Sequence, residues 1–548
     1  MRAVAPAPAP EGAARTAPRP PWTARRVTAW VFPLAFTAAG LAAAAEVGLD
    51  PVRLVNGFAS VGGLLARSWP PTLTDPMATL ANIGTTTAMA VAGTALGLVL
   101  ALVLAVLAAR PTSHNRYMRS AAMAVIVGCR AIPDVVFAFF FVAALGIGPL
   151  PGVLALGLHS IGMLGKLATE AIERTDDGVR EAVAGTGAGP LQRLVSGVLP
   201  QIMPNLLAVT LYRVDMNFRT SVLLGAVGAG GIGLQLSTAF GFTDYREATG
   251  LALVTVGVVL LLEAVSAGLR LLLLGRTSGR GPAVPPVRGT RVPWTRGRVI
   301  THAAGWAALA AVAVSCWSTG ATPAATVRLA TGTVAALGRF WPPSFGPVAD
   351  LLGPGLAETC AIAMAATFLG VLAGLMLGLA AARGVLPGAV YGVARGVLVL
   401  LRSIPDLLLV LVFVAAFGLV EGAMAGACAL AVCTAALVGK LVADSAEEVR
   451  VRPREAIRAA GAGRVQELAS GLIGPMVPAL VGNALYALDV NLRAFFVLGV
   501  VGAGELGFAV SQNLRLLNYD VVTAIVLPVF ALVLVVEVVS TLVRGTLR

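Results

Sequence analysis

The sequence is poor in charged residues, and this scarcity sets the class of protein. Asp, Glu, Lys and Arg make up only 12% of the 548 residues, whereas hydrophobic residues make up 57%. Soluble domains carry about 25% charged residues. Several apolar runs reach the roughly 20 residues that a helix needs to cross a bilayer. The composition excludes an ordinary soluble protein and predicts an all-α polytopic membrane protein.

Cysteine and lysine are also scarce. The five cysteines lie in or beside apolar runs without the spacing of metal ligands, so we interpret them as small buried hydrophobic residues and predict no metal site. The 40 cationic residues include just two lysines, Lys166 and Lys440. A net charge of +13 is also typical of nucleic-acid binding. With no soluble basic domain, arginines collected in cytoplasmic loops are the better explanation, and we predict no nucleic-acid partner.

Twelve apolar segments divide into two groups of six. Residues 1–26 are rich in Pro, Ala and Arg and are predicted to be a disordered cytoplasmic tail. The first permeation unit is assigned to residues 27–275, a basic Pro/Gly linker to 276–298, and the second unit to 299–548. Between the first two segments, residues 47–79 are predicted to be an extended loop or surface segment. The twelve predicted spans are 27–46, 81–109, 119–146, 152–173, 204–226, 247–274, 299–318, 355–382, 390–418, 422–443, 476–500 and 520–545.

Arginine bias places both termini in the cytoplasm. With the N-terminus inside, the loop at Arg110–Arg119, the segment at Glu181 and the linker all fall on the inside. Six spans per half return the chain to the same side, so the two halves are parallel repeats related by an axis along the membrane normal.

An internal duplication is the most specific signal in the chain. Glu181–Gly189 and Glu455–Gly463 are similar at an offset of 274 residues. Other pairs recur at nearly the same offset: Arg-Ala-Ile-Pro-Asp at 130–134 with Arg-Ser-Ile-Pro-Asp at 402–406, Gly165-Lys166-Leu167 with Gly439-Lys440-Leu441, and Glu263 with Glu537.

Charged residues inside the spans are candidates for the translocation pathway, because such charges are costly and are usually paired or functional. Four Arg/Asp pairs stand at i,i+4 spacing, and mutual pairing is favoured over substrate contact if the backbone stays helical. For the two lysines, placement of a compact ammonium and snorkelling toward a span end are weighed equally. Glu263 and Glu537 are expected to make interhelical polar contacts. The candidates are Arg130, Asp134, Lys166, Asp215, Arg219, Arg402, Asp406, Lys440, Asp489 and Arg493.

Two glycine stretches, 225–233 and 499–507, follow the fifth span of each half. Small residues permit close helix packing, but Gly alternates here with β-branched residues too densely for a stable helix. We therefore favour a break in the helix where it lines a cavity. The candidate gate or packing glycines are Gly228, Gly230, Gly231, Gly502 and Gly504.

The polar segment at Glu181 follows the fourth span, and its residues favour a short helix with Glu181 near the start. Glu-Ala followed by Gly and a Pro-bearing stretch resembles the EAA loop of binding-protein-dependent ABC importer permeases. In that family the loop forms a coupling helix that docks onto a cytoplasmic ATPase dimer. The resemblance implies ATPase-coupling positions at Glu181, Ala182, Gly187, Glu455, Ala456 and Gly461.

More narrowly, the Ile-Pro-Asp motif, the run 159–166 and the glycine stretch at 227–233 resemble the phosphonate-type permeases, here fused in tandem. The resemblance implies a phosphonate or related phosphorus oxyanion as substrate and an extracytoplasmic binding protein as a further partner. The second half departs at Cys433, Gly474 and Glu505, where the first has His159, Pro200 and Gly231.

No catalytic residue is predicted. The Gly-Lys pairs are not a P-loop, since Leu167 stands where a P-loop requires Ser or Thr. ATP and magnesium are therefore expected on the partner ATPase, with no cofactor in this chain. A secondary transporter with two parallel halves stays open as an alternative, although it gives no reason for the docking segments. A non-transporting membrane scaffold is a third reading.

Overall fold

The structure is a computed structural model that describes residues 24–274, 296–321, 323–418, 421–449 and 451–547. Most of the predicted tail and linker lies outside these residues. The described chain is helical, without strands. The helices of the first half are α1 (Ala24–Glu46), α2 (Pro51–Arg67), α3 (Pro76–Ala108), α4 (Arg116–Ala131), α5 (Asp134–Leu145), α6 (Pro149–Glu173), α7 (Asp177–Gly185), α8 (Pro190–Arg193), α9 (Leu199–Leu224), α10 (Ile232–Gly241) and α11 (Tyr245–Leu274).

The second half repeats this order. Its helices are α12 (Arg296–Ser318), α13 (Pro323–Phe340), α14 (Ala349–Ala380), α15 (Gly388–Ser403), α16 (Asp406–Phe417), α17 (Gly422–Glu448), α18 (Val451–Ala459), α19 (Arg464–Leu468), α20 (Gly474–Arg493), α21 (Phe495–Val501), α22 (Glu505–Arg515) and α23 (Tyr519–Leu547).

The number of candidate spans agrees with the sequence. Within the described residues, nine helical segments are long and apolar enough to cross a membrane. Three bent helix pairs raise the number to twelve if each pair is one span. The bends are 90° between α4 and α5 and 87° between α15 and α16, both at the Ile-Pro-Asp motif. The prediction of an all-α membrane protein with about twelve spans in two repeats is confirmed.

The prediction of an extended loop over residues 47–79 is wrong, because α2 occupies much of it. Asp50 caps this helix by accepting a 2.8 Å hydrogen bond from the Val52 amide, and Pro51 stands at the first helical position. Proline is well suited to that position, since its missing N–H is not needed there. Pro51 therefore begins a helix and does not interrupt one.

The core of each half is a close pair of parallel helices, α3 with α6 and α14 with α17. Glycines permit the approach. A Cβ at Gly97 would lie 2.5 Å from the Ser160 Cβ, and one at Gly378 would lie 2.5 Å from the Gly439 carbonyl oxygen. The backbones are therefore nearly in contact, and these pairs form a rigid centre for each half.

The first two helices of each half pack on the opposite half. Helix α1 lies against α14, where Gly40 faces the Phe368 ring, and α12 lies against α3 in the equivalent exchange. Helix α2 packs on α16 and α13 packs on α5, with Gly332 against the Ala144 carbonyl. The two halves are thereby interlocked, and the seam between their cores runs through the centre of the molecule.

Candidate coupling and translocation sites

The first candidate coupling segment is α7 with the turn that follows it. Asp176 is its N-cap and accepts a 2.8 Å hydrogen bond from the Gly178 amide. The expectation that Glu181 stands near the helix start is wrong, since Glu181 lies in the middle of α7 and Asp176 and Asp177 occupy the start. Glu181 and Ala182 are exposed. No residue of α7 is buried, so the helix presents a free surface within the described chain.

Both candidate coupling helices end at a glycine in the left-handed conformation. Gly187 has φ of +80° and Gly461 has φ of +81°. The Gly187 amide donates to the Ala184 carbonyl at 3.0 Å, and the Gly461 amide donates to the Arg458 carbonyl at 3.0 Å. This is the usual way in which glycine terminates a helix, because a side chain is strained at positive φ. Glu455, Ala456 and Gly461 are exposed like their counterparts.

Each coupling helix rests on a glycine in a π-helical turn of the next element. A Cβ at Gly197 would lie 3.5 Å from Arg180 Cα, and one at Gly471 would lie 3.3 Å from Arg454 Cα. Polar contacts add to this packing. Arg180 Nη1 donates to the Pro111 carbonyl at 2.7 Å, which holds α7 near the end of α3. Each candidate coupling helix is therefore packed directly on the start of the following span.

The two coupling segments differ in their electrostatics. Glu467 is buried and accepts hydrogen bonds from Arg454 at 3.2 Å and from Arg458 at 2.8 Å. At the duplication offset of 274 the first segment has Arg193, whose Nε donates to the Ala188 carbonyl at 2.8 Å. The second segment is thus held together by an ion cluster of three residues, whereas the first is held together by a hydrogen bond from an arginine to a main-chain carbonyl.

The candidate translocation residues other than the two lysines gather where the two halves meet. Here α4 and α15 end at the Ile-Pro-Asp bends, and Pro133 and Pro405 are the N-caps of the helices that follow. The expected i,i+4 pairing of Arg130 with Asp134 is wrong, because the bend separates the two side chains. Arg130 Nη2 instead lies 2.6 Å from Glu537 Oε1 in the last helix of the opposite half.

The equivalent pairing of Arg402 with Asp406 is also wrong, since within the described residues no ion pair joins them. Arg402 and Glu263 occupy the positions that correspond to Arg130 and Glu537. They form no ion pair in the described chain, and Glu263 Oε2 is buried without a hydrogen-bond partner there. The interhelical contact expected of Glu537 is present, and that expected of Glu263 is not.

The other two Arg/Asp pairs form as expected. Arg219 Nη2 lies 2.8 Å from Asp215 Oδ2, and Arg493 Nη2 lies 2.8 Å from Asp489 Oδ1. Each guanidinium also reaches across the seam. Arg493 Nη1 donates to the Arg130 carbonyl at 2.9 Å, and Arg219 Nη1 donates to the Arg402 carbonyl. The contacts are reciprocal, so each half holds the end of the other half's broken helix.

Buried hydrogen bonds tie the spans of each half together below these arginines. Asn217 Nδ2 donates to Thr94 Oγ1 at 2.8 Å and to Ser160 Oγ at 3.0 Å. In the second half Asn491 Nδ2 makes equivalent 2.9 Å bonds to Thr367 and Thr434. These networks link α3, α6 and α9, and α14, α17 and α20, through fully satisfied amide donors.

Arg213 and His159 were not among the candidate pathway residues, although the structure places both beside the seam. Arg213 is 5% exposed, and its Nε donates to Ser160 Oγ at 2.9 Å. His159 Nδ1 lies 3.4 Å from the Ile132 carbonyl at the bend. The duplication offset places Ala487 and Cys433 at the equivalent positions. Arg213 and His159 could have been identified from the sequence, because each is a polar residue that the other repeat does not have at the equivalent position.

The two lysines pair within their own helices. Lys166 Nζ lies 3.9 Å from Glu170 Oε1, and Lys440 contacts Asp444. Both lysine side chains are partly exposed, at 49% and 37%. In the described chain no ion pair joins them to the charged residues at the seam between the halves. This arrangement favours the snorkelling interpretation, and a role in translocation stays a prediction.

The glycine stretches break the helices. Gly228, Gly230 and Gly231 have φ of +117°, +81° and +72°, and Gly502 and Gly504 have φ of +83° and +89°. At Gly231 close approach adds a second requirement, since a Cβ there would lie 2.4 Å from Thr86 Oγ1. The chain then turns back as α10 and α22. The gating role of these glycines remains a prediction.

Comparison with known proteins agrees with this architecture. The family described as "Binding-protein-dependent transport system inner membrane component" matches twice, at residues 97–279 and 370–548. The phosphate-import permease protein PhnE of Mycolicibacterium smegmatis is 40% identical over 502 residues, which is 91% of each chain. The phosphite transport system permease protein PtxC of Stutzerimonas stutzeri is 41% identical over 222 residues, or 40% of this chain and 81% of that protein.

Among solved structures, an inward-facing MetNI methionine ABC transporter matches at 27% identity with a TM-score of 0.34, covering 37% of this chain and 99% of the matched chain. The two family matches fall one in each repeat and together cover more than half of the sequence. The chain therefore belongs to the binding-protein-dependent transport permeases, with two copies of the family's domain fused in tandem.

Proposed function

We propose that this chain is the membrane-spanning permease subunit of an ATP-driven importer, and that it moves a phosphorus oxyanion across the plasma membrane of a bacterium. One observation carries the proposal. Each repeat presents an exposed helix, α7 or α18, that is ended by a left-handed glycine and packed on the start of the next span. An exposed helix that packs on a transmembrane span is suited to transmit a movement of a separate, bound protein to that span.

The partner that fits these surfaces is a cytoplasmic ABC ATPase dimer, with one subunit on each segment. ATP and magnesium are then bound by the ATPase. The coupling contacts are assigned to Glu181, Ala182 and Gly187 and to Glu455, Ala456 and Gly461, all of which are exposed. An extracytoplasmic binding protein delivers the substrate at the opposite face, and both termini are cytoplasmic.

The substrate class is supported by two independent features. A relative over 91% of the chain carries a name that refers to phosphate import, and a relative over 40% of the chain carries a name that refers to phosphite transport. The seam between the halves is also lined by arginines, whose guanidinium groups suit phosphorus oxyanions because they offer paired donors. The cluster includes Arg213, which no carboxylate approaches within an ion-pair distance in the described chain.

Co-purification with a cytoplasmic ABC ATPase tests the proposal. We expect the purified chain alone to hydrolyse no ATP. In proteoliposomes with ATP enclosed and an extracytoplasmic binding protein supplied outside, we expect the complex with the ATPase to take up phosphate, phosphite or methylphosphonate, and to take up none without enclosed ATP. Substitution of Glu181 together with Gly187 is expected to release the ATPase. Robust hydrolysis by the chain alone would overturn the assignment.

A secondary transporter is the competing function, since the two-repeat architecture suits it. The same proteoliposomes separate the two. Uptake driven by a proton or sodium gradient without nucleotide supports the secondary transporter, whereas gradient-independent uptake that requires ATP supports the importer. A scaffold predicts no uptake under either condition.

A further inference from the structure

Arg219 and Arg493 each have two kinds of partner, one in the same helix and one in the opposite half. On one side each guanidinium pairs with an aspartate of its own helix, Asp215 or Asp489, at 2.8 Å. On the other side each donates to a main-chain carbonyl that belongs to the opposite half. The first partner is a fixed neighbour in the same helix. The second partner is lost whenever the halves separate.

The two carbonyls lie in the last turn of α4 and of α15, immediately before the Ile-Pro-Asp bends. Carbonyls of a last helical turn lack intrahelical donors, and they carry the negative end of the helix dipole. They attract a guanidinium, but each is a neutral acceptor that takes one hydrogen bond from it. A phosphorus oxyanion offers several charged oxygens and is the stronger acceptor.

The first half also has donor capacity that its present contacts leave unused. Arg219 Nε is buried without a hydrogen-bond partner in the described residues. Arg213 adds a buried cation whose Nε bonds a neutral hydroxyl, that of Ser160. Asp406 of the second half is close enough to interact electrostatically with Arg219, and Asp134 of the first half with Arg213. The charges of both halves therefore meet in one region at the seam.

We propose that Arg219 and Arg493 form an anion clamp in which the two carbonyls occupy the places of substrate oxygens. Without substrate, the arginines hold the seam shut by binding the opposite half's helix ends. An entering oxyanion takes the guanidinium donors, including the free Arg219 Nε, and releases the carbonyls. Because each carbonyl belongs to the other half, an oxyanion that replaces the carbonyls as acceptor also releases the contacts that hold the two halves together.

This inference rests on the proposed function, since it requires that an oxyanion passes along the seam. The test uses the full chain with its ATPase in proteoliposomes, with ATP enclosed and the extracytoplasmic binding protein supplied outside, and measures uptake of radiolabelled phosphate, with methylphosphonate as a second probe. The variants are Arg219→Gln, Arg493→Gln and the charge-conserving Arg219→Lys and Arg493→Lys. Arg270→Gln in α11 is the matched control, because within the described residues the hydrogen bond of Arg270 is to the Ser266 carbonyl of its own helix.

Each Gln variant is expected to raise KM for the anion about 10- to 100-fold, which corresponds to one charge-assisted hydrogen-bonding group. The anion-independent ATPase rate is expected to rise in the same variants, because the seam has lost a contact that keeps it shut. Lys variants keep the charge but cannot bridge aspartate and oxyanion together, so their KM is expected to be intermediate. Arg270→Gln is expected to match the wild type in both readouts.

The outcomes separate the clamp from the importer. Uptake with unchanged KM in both Gln variants overturns the clamp and leaves the proposed function standing. A fall in uptake and in ATPase rate together, with KM unchanged, also overturns it, because it identifies a purely structural role. Failure of the wild-type complex to take up any of phosphate, phosphite and methylphosphonate overturns the substrate class and the clamp with it.

Discussion

Arg130 at the end of α4 and Glu537 in α23 are joined across the two halves, with 2.6 Å between Nη2 and Oε1. The residues are 407 positions apart in the chain. The corresponding pair, Arg402 and Glu263, is not formed in the described structure, and Glu263 Oε2 is buried without a partner there. The two repeats therefore differ at a contact whose residues both of them possess.

Removal of this contact is expected to destabilise the assembly of the halves. Glu537→Gln leaves Arg130 without its carboxylate, and we expect a loss of about 1–3 kcal/mol, less than for a fully buried pair because both side chains are partly exposed. Thermal unfolding in detergent measures the loss. Glu263→Gln is the matched control and is expected to be neutral or stabilising, since Glu263 Oε2 is buried without a hydrogen-bond partner in the described residues. Equal destabilisation by the two variants would contradict this account.

Backbone conformation at the end of the coupling helix gives a second prediction. Gly187→Ala is expected to cost roughly 1 kcal/mol locally, because alanine is strained at the φ of +80° found there. We expect weaker ATPase retention in co-purification. Gly185→Ala lies two residues away within α7, with no atom near an added Cβ, and is expected to be neutral or slightly favourable. Similar losses in both variants would show that bulk, and not φ, is what matters.

The ion cluster of the second coupling segment gives a third prediction. Glu467→Gln removes the carboxylate that accepts from Arg454 and Arg458, so α18 is expected to open more often. Hydrogen–deuterium exchange of the peptides over 454–468 should become faster, while those over 177–193 should not change. Arg193→Gln is the counterpart in the first segment. It loses a bond to the Ala188 carbonyl, and we expect its effect to stay within 177–193.

Close packing of the core helices gives a fourth prediction. Gly97→Ala places a Cβ 2.5 Å from the Ser160 Cβ and 2.9 Å from the Gly157 carbonyl oxygen, so α3 and α6 must move apart. Overpacking of this kind costs about 1–3 kcal/mol. Gly128→Ala in α4 meets no atom within 4 Å and is the control. A melting temperature for Gly97→Ala that equals that of Gly128→Ala would refute the close approach of these helices.

Much of the architecture followed from the sequence because its signals are local or repetitive. Apolar runs of span length and a recurring set of motifs predicted about twelve transmembrane spans in two repeats. The bends at the Ile-Pro-Asp motifs also have a local cause, because proline removes a backbone donor and clashes with a continuing helix. The break at the glycine stretches was predicted from the dense alternation of Gly with β-branched residues, and several of these glycines adopt positive φ.

Other features depend on partners that are distant in the chain. The i,i+4 spacing of Arg130 and Asp134 suggested a pair within one helix, but the bend turned Asp134 away and Glu537 supplied the carboxylate. The start of α7 was assigned to Glu181 although Asp176 is the better cap by side-chain geometry. Helix α2 was missed because a proline at a helix start and a proline that breaks a helix look alike in sequence.

The membrane class, the duplication and the positions of the two exposed polar segments could be predicted from the amino-acid sequence, because composition, repetition and local polarity are properties of the chain alone. Which charges meet depends on the packing of the two halves. In the folded protein the first two helices of each half pack on the other half, and Arg219 and Arg493 donate hydrogen bonds to carbonyls across the seam. The physical reason is that burying a guanidinium requires a partner, and packing of the halves determines which acceptors lie within reach.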